Sequence, residues 1–114
     1  MVIDILDKAK LAVKLAEDKK CENPIILHIS KVSNLCDYFV ILSAESSRRV
    51  ETIAEAIKDG FEKKSIKILH YEGKDTCLWV LLDTGDVIVH VFRSDMREFY
   101  ALERLWSSAE VIKL

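Results

Sequence analysis

The 114-residue sequence is short of glycine, proline and cysteine, and each shortage excludes a class of protein. Three glycines and one proline are too few for a flexible linker or a low-complexity segment, and no internal repeat is visible. The three cysteines, Cys21, Cys36 and Cys77, form an odd set without C-x-x-C spacing. This pattern favours a reducing compartment over a disulfide scaffold, so the thiols are expected to be buried or idle.

An excess of positive charge is also absent, since 17 Lys and Arg against 19 Asp and Glu leave a net charge of -2. A phosphate-binding surface is therefore not expected as the main mode of action, and neither DNA nor naked RNA is an expected partner. No apolar run approaches the ~20 residues that span a bilayer, and the N-terminus has no basic stretch before an apolar core. A cytoplasmic protein without a membrane partner is expected.

Apolar side chains are plentiful, since 50% of the residues are hydrophobic. A chain of this length and composition can bury a core without disulfides or metal. Residues 1–114 are therefore expected to form a single domain.

Apolar periodicity predicts three helices. The first covers Val2 to about Lys19, and the second begins after a cap at Ser46 or Ser47. The third follows Asp95 and Glu98, which have the spacing of a capping box with Asp in place of Ser or Thr.

Alternating apolar residues predict strands at 25–30 and 66–71 and in both arms of a hairpin at 79–92. The nearly unbroken apolar run at 38–43 predicts a central strand that is covered on both faces. The resulting order, α-β-β-α-β-β-β-α, indicates one mixed five-stranded sheet with helices packed on it, an α+β or α/β layered domain.

The hairpin, W-V-L-L-D-T-G-D-V-I-V-H-V-F, is the most informative stretch, and Thr84-Gly85 provides its turn. Alternate residues on each arm form one continuous apolar face that suits a core. The other face mixes aromatic, acidic and imidazole groups, so it must be covered by a helix or presented to a partner. Its members are Trp79, Leu81, Asp83, Asp86, Ile88, His90 and Phe92.

Catalytic patterns are weak. The run Leu81 to Gly85 reads like the catalytic strand of a retroviral-type aspartic protease, but that chemistry needs paired aspartates on an all-β dimer, so a turn is favoured. His28, His70 and His90 lack the close spacing of zinc ligands. No P-loop, G-x-G-x-x-G or G-x-S-x-G motif is present. A Ser-His-Asp or Cys-His arrangement assembled by the fold stays open.

Aromatic residues, arginines and carboxylates are concentrated in the hairpin and the helix after it. Aromatic and Arg residues dominate binding hot spots, and carboxylates suit a basic partner. On composition alone, packing of the last helix onto the sheet is favoured over a recognition surface. The group is Trp79, Phe92, Phe99, Tyr100 and Trp106 with Asp83, Asp86, Arg93, Arg97, Glu103 and Arg104.

Five stretches together resemble the ribosomal silencing factor family, RsfS, also called Iojap. They are C-D-Y-F-V-I at 36–41, S-S-R-R-V at 46–50, E-G at 72–73, the hairpin, and R-E-F-Y-A-L-E-R-L-W at 97–106. The resemblance implies a nucleotidyltransferase-like topology. It also implies a non-enzymatic protein without metal or cofactor, because residues 44–47 lack a Gly-Ser turn and Asp37 has no second carboxylate two residues on.

The resemblance also implies a partner, ribosomal protein fourteen of the large ribosomal subunit, on the face where the small subunit docks. Binding there would prevent subunit joining and repress translation, and related organellar proteins assist late large-subunit assembly. The apolar surface is also open to self-association as a homodimer in the free protein. The alternative function is a catalytically degenerate nucleotidyltransferase-fold protein that binds a nucleotide.

Matching motifs assign two sets of residues by resemblance. Arg49 is expected to orient a carboxylate such as Asp37. Thr84 and Ser108 depart from the family pattern, so the loop tip and the tail are not expected to determine binding. The implied partner-binding set is Trp79, Asp83, Asp86, His90, Phe92, Arg97, Tyr100 and Glu103, and the second set, with mixed structural and binding roles, is Asp37, Tyr38, Ser46 and Arg49.

Overall fold

The computed structural model describes residues 3–114, in which helices pack on one mixed sheet. Val2, the first apolar position of the predicted first helix, lies outside the described residues. The helices are α1 (Ile5–Glu17), α2 (Ser47–Lys63), α3 (Ser94–Tyr100) and the single turn α4 (Leu102–Leu105). The strands are β1 (Glu22–His28), β2 (Tyr38–Ala44), β3 (His70–Glu72), β4 (Trp79–Asp83), β5 (Val87–Arg93) and β6 (Glu110–Ile112).

The sheet has the strand order β3-β4-β5-β2-β1-β6, with β2 and β5 as its parallel central pair. All other neighbours are antiparallel. In β2 every residue from Phe39 to Ala44 is buried, which confirms the prediction of a central strand covered on both faces. An uninterrupted apolar strand suits this place because layers cover both of its faces.

The first face of the sheet is covered by α1 and α2. Asp4 caps α1 by accepting a hydrogen bond from the Leu6 amide at 2.9 Å, and Ser46 caps α2 by accepting one from the Arg49 amide at 3.2 Å. Alternate hairpin residues face these helices, as predicted. The main core contains Ala9, Ala12, Val13, Ala16, Val50, Ile53, Ala54, Ile57, Phe61, Val80, Leu82, Val87, Val89 and Val91.

Among the helices of residues 3–114, those that cover the second face are the two of the short α3–α4 corner, in which α3 and α4 meet at Ala101. Neither helix contains a fully buried residue. Beneath the corner lies a smaller core of Leu27, Ile29, Cys36, Phe39, Ile41, Ile88, Phe92 and Ala109. The first face of the sheet is therefore covered by two long helices, and the second face by two short ones.

The predicted five-stranded sheet is wrong by one strand, because β6 adds a sixth at the edge beside β1. Its residues Glu110 and Val111 are exposed, so no alternating core pattern marks it. The strand predicted at 66–71 is shorter, since only His70–Glu72 pairs with β4. Before it, the Leu69 amide makes a 2.7 Å bond to the Asp83 carbonyl.

The capping box predicted for the last helix is also wrong. Helix α3 begins at Ser94, and its N-cap Arg93 makes no side-chain cap hydrogen bond. Asp95 instead accepts from the Arg93 guanidinium at 2.7 and 2.9 Å. Competition from this Arg93 ion pair removes the carboxylate from capping.

Candidate partner-binding site

Trp79 is the centre of the aromatic cluster on the second face. Its ring stacks on Phe92 at a centroid distance of 4.9 Å and lies 4.8 Å from the ring of Tyr100. Trp79 opens β4, Phe92 is its register partner on β5, and Tyr100 ends α3. The cluster thus fastens the α3–α4 corner to the hairpin through rings contributed by three elements.

The α3–α4 surface is defined here by three large side chains that point into solvent. Phe99 is 76% exposed, Leu105 is 75% exposed and Tyr100 is 45% exposed. Phe99 also contacts Tyr100 edge to face at 5.2 Å. Exposed apolar side chains grouped on one short element are typical of interaction surfaces.

His90 lies beneath this surface and is only 4% exposed. The Trp79 indole N–H donates to its Nδ1 at 3.1 Å, which places the proton of the neutral ring on Nε2. That Nε2 is buried and has no hydrogen-bond partner within residues 3–114. Desolvation by burial lowers the pKa of His90 to about 4.

Arg97 connects α3 to the rest of the molecule from the inside. Its guanidinium holds the Glu103 carboxylate through Nε at 3.0 Å and Nη2 at 3.3 Å. Its Nη1 also donates to the Asn23 carbonyl at 2.6 Å and to the Ser43 hydroxyl at 3.0 Å. The Arg97 side chain is only 12% exposed and that of Glu103 is 39% exposed, and this Arg97–Glu103 clamp links α3 to α4.

The two predicted hairpin aspartates hold the turn at the other end of β4 and β5. Asp83 accepts from the Gly85 amide at 2.7 Å. Asp86 accepts from Lys8 of α1 at 2.7 Å and from the Thr84 hydroxyl at 3.0 Å. Burial by itself would raise the pKa of Asp86, but the bonds from Lys8 and Thr84 and the Lys8 charge outweigh it and lower the pKa.

Replacing Lys8 with Met is expected to cost about 1 kcal/mol of unfolding free energy at neutral pH, because one charge-assisted bond is lost at a partly exposed site. Since the folded pKa of Asp86 lies below its ordinary value of 3.8, this stability is present above that value and is lost as the pH falls through the folded pKa. Urea unfolding at pH 7 and at a series of values below pH 3.8 measures it. The matched variant Lys10→Met removes an exposed α1 lysine and should change none of the curves; a wild-type advantage that does not decrease along this series would contradict the assignment to Asp86.

The four residues of the second set do not form one site. Asp37 precedes β2, and its amide donates to the Asp86 carbonyl at 2.8 Å. Tyr38 stacks on His28 at 4.8 Å, while Ser46 caps α2 at the opposite end of β2. Arg49 donates to the Lys19 carbonyl at 3.3 Å, so the expectation that it orients Asp37 is wrong, because the length of β2 separates them.

The structure therefore brings together Trp79, His90, Phe92, Arg97, Tyr100 and Glu103, and leaves Asp83 and Asp86 at the far end of the hairpin. Phe99 and Leu105 were not in the predicted contact set. Both are apolar, but periodicity cannot distinguish an exposed position from a core position in a helix that is broken at Ala101. The break follows from the left-handed backbone of Ala101, at φ 46° and ψ 46°.

Comparison with known proteins decides the family. Residues 2–114 match the family described as "Ribosomal silencing factor during starvation". The chain belongs to this family. It is 40% identical over 105 residues to ribosomal silencing factor RsfS of Bacillus subtilis, covering 92% of this chain and 89% of that protein. The corresponding protein of Halalkalibacterium halodurans is 39% identical, with 92% and 90% covered. A crystal structure from Chromobacterium violaceum superposes with a TM-score of 0.89 at 32% identity, covering 92% of this chain and 88% of that chain.

Membership identifies a ribosomal silencing factor homologue of the RsfS and Iojap family, whose members are not enzymes. In the described part of the chain, no group of three or more His, Cys, Asp or Glu is placed to hold a metal ion. No helix there is long and apolar enough to cross a bilayer.

One catalytic-looking arrangement, left open by the sequence, does occur beside β6. The Ser30 hydroxyl lies 2.8 Å from Nε2 of His28, whose Nδ1 lies 3.4 Å from Glu110. Lys31 also reaches Glu110 at 3.4 Å, and the bond from His28, followed by that from Lys31, lowers the pKa of Glu110. The Ser30 amide already donates a hydrogen bond to the Asp37 carbonyl, so it is not available to stabilise an oxyanion. The side-chain bonds tie the edge strand β6 to β1.

Proposed function

We propose that the protein binds the large ribosomal subunit through ribosomal protein fourteen and sterically blocks joining of the small subunit, which represses translation. Family membership implies the ribosome as partner. The observation that carries the proposal is the exposed α3–α4 surface, since Phe99 and Leu105 are 76% and 75% exposed and form an apolar patch with Tyr100 on one short corner.

Direct contact is assigned to the α3–α4 surface together with the partly buried Trp79. Arg97 and Glu103 hold that surface in the arrangement seen in the free protein. Asp83 and Asp86 stay in the proposed set as acidic groups at the hairpin turn that steer a basic ribosomal protein and fix its orientation. Phe92 and His90 are buried in the free protein and support the aromatic cluster from below.

Further expectations belong to the same proposal. Residues 1–114 act as one domain in the cytoplasm, with a topology like that of nucleotidyltransferases. In the absence of ribosomes, the α3–α4 surface is covered by a second copy in a homodimer. The described residues offer no observation that favours the nucleotide-binding alternative, which stays a prediction.

Sedimentation of purified subunits tests the function. Under conditions in which subunits join, the protein is expected to migrate with the large subunit and to reduce the joined peak. Phe99→Ala and Leu105→Ala should each weaken this binding roughly tenfold, as expected for exposed anchors at an interface, and should leave the melting temperature unchanged.

Leu69→Ala provides the matched control, because Leu69 is 51% exposed and lies before β3, away from the corner. It should bind like the wild type. Equal losses for Leu69→Ala and Leu105→Ala would move the contact away from the α3–α4 surface. A wild-type protein that stays at the top of the gradient while subunits join normally would refute the proposed function.

A further inference from the structure

The α3–α4 corner combines weak anchoring with local backbone strain. Neither α3 nor α4 has a side-chain N-cap or a fully buried residue. Ala101 joins them at φ 46°, a left-handed conformation that an L residue with a Cβ rarely adopts. Elements with few buried contacts open more easily than the core strands beneath them.

The corner is held closed by the Arg97–Glu103 clamp, by the ring contacts of Tyr100 and by the packing of the partly buried Met96, Leu102 and Trp106 on the smaller core. The clamp crosses the Ala101 junction, since Arg97 belongs to α3 and Glu103 to α4. The same guanidinium donates hydrogen bonds to the Asn23 carbonyl of β1 and the Ser43 hydroxyl of β2. Loss of the clamp would therefore release the angle between the helices, while the bonds from Arg97 to Asn23 and Ser43 would still attach α3 to β1 and β2.

One hydrogen-bond donor beneath the closed corner, the Nε2 of His90, has no acceptor within residues 3–114. The Trp79 indole N–H donates to Nδ1 of His90, so the proton of the neutral ring is on Nε2. This Nε2–H makes no hydrogen bond with any group of residues 3–114. Phe92, which stacks beside it under Trp79, is completely buried. A buried N–H donor without an acceptor is unfavourable, and an oxygen atom that reached it would gain a bond in a water-poor site.

We propose that the α3–α4 corner swings open about Ala101 when the ribosomal partner binds, so that Phe92 and His90 join the contact surface and His90 donates its Nε2 proton to a partner oxygen. The inference rests on the proposed function. The partner segment has a carbonyl or carboxylate oxygen beside an apolar side chain. The closed corner is then the main form of the free protein, and the apparent affinity is the affinity of the open form multiplied by the fraction of molecules that are open.

Glu103→Gln tests the swing, because it keeps the shape of the side chain but removes the charge that holds Arg97. In the free protein, amide hydrogen exchange of residues 94–105 should accelerate roughly three- to tenfold while that of β2 stays unchanged. Binding to the large subunit should tighten by a similar factor, roughly three- to tenfold, because the competent state is populated more often. Glu98→Gln is the matched control, since Glu98 is an exposed α3 carboxylate that forms no ion pair with residues 3–114.

His90→Asn tests the donor. Asn retains an acceptor near the position of Nδ1 for Trp79 but cannot present a proton at the position of Nε2. At a temperature where both proteins are folded, it should bind the large subunit roughly fivefold more weakly, in line with one lost buried hydrogen bond.

The outcomes separate the two proposals. If the wild type does not bind the large subunit, the proposed function fails and the inference fails with it. If the wild type binds but Glu103→Gln binds equally well or more weakly, the corner is a rigid preformed surface and the swing is refuted. Unchanged exchange of residues 94–105 refutes it as well, and wild-type affinity in His90→Asn overturns the role of the donor.

Discussion

Gly73→Ala is expected to lower the free energy of unfolding by at least about 3 kcal/mol, through backbone strain and overpacking together. Gly73 lies in the turn before β4 at φ +86°. A Cβ there would lie 2.0 Å from the Trp79 carbonyl oxygen and 3.0 Å from its carbonyl carbon. These are backbone atoms of a paired strand, so no side-chain rotation relieves the overlap, and β4 must shift at the residue that anchors the aromatic cluster.

Gly85→Ala separates the two causes. Gly85 also has a left-handed backbone, at φ +94°, but a Cβ there would meet only the flexible end of Leu69 at 3.3 Å. It should therefore cost about 1 kcal/mol, the strain alone. Urea unfolding of both variants measures the difference, and equal losses would show that the close approach to Trp79 contributes nothing. Gly73→Ala should also weaken ribosome binding at temperatures where it remains folded.

Acidification from pH 6.5 to about pH 4 is expected to remove up to about 3 kcal/mol of stability through His90 alone, given a folded pKa of about 4 against 6.5 in the unfolded chain. Burial lowers the pKa, so the unfolded state binds the proton first. The contribution of His90 is complete above pH 6.5 and is lost as the pH falls towards the folded pKa. Protonation also places a proton on Nδ1, where the Trp79 N–H already points.

His90→Asn isolates this contribution, because it does not titrate and still offers Trp79 an acceptor. Urea unfolding of both proteins should be measured at several values between pH 7.5 and pH 4. Carboxylates affect both curves alike, so the stability of the wild type relative to the variant should decrease as the pH falls. A difference that is constant across this range would show that His90 titrates normally or remains accessible to water.

Most elements of the first face were determined by local sequence. The apolar periodicity of α1 and α2, the cap at Ser46 and the alternating hairpin each need only neighbours along the chain, and all appear in the structure. The central place of β2 was also predictable, because its uninterrupted apolar run leaves no polar face for water. The family motifs likewise depend on local residue order.

The tertiary structure alone decided the second face and the site. It added β6, whose exposed residues have no core pattern because backbone pairing with β1 and the side-chain bonds of Glu110 hold it. It broke the last helix at Ala101 and turned Phe99 and Leu105 outward, although their sequence pattern equally fits a core. It also buried His90 and Phe92 and paired Arg97 with Glu103. Burial and ion pairing depend on which elements meet in space, whereas a sequence pattern specifies only which side chains share a face.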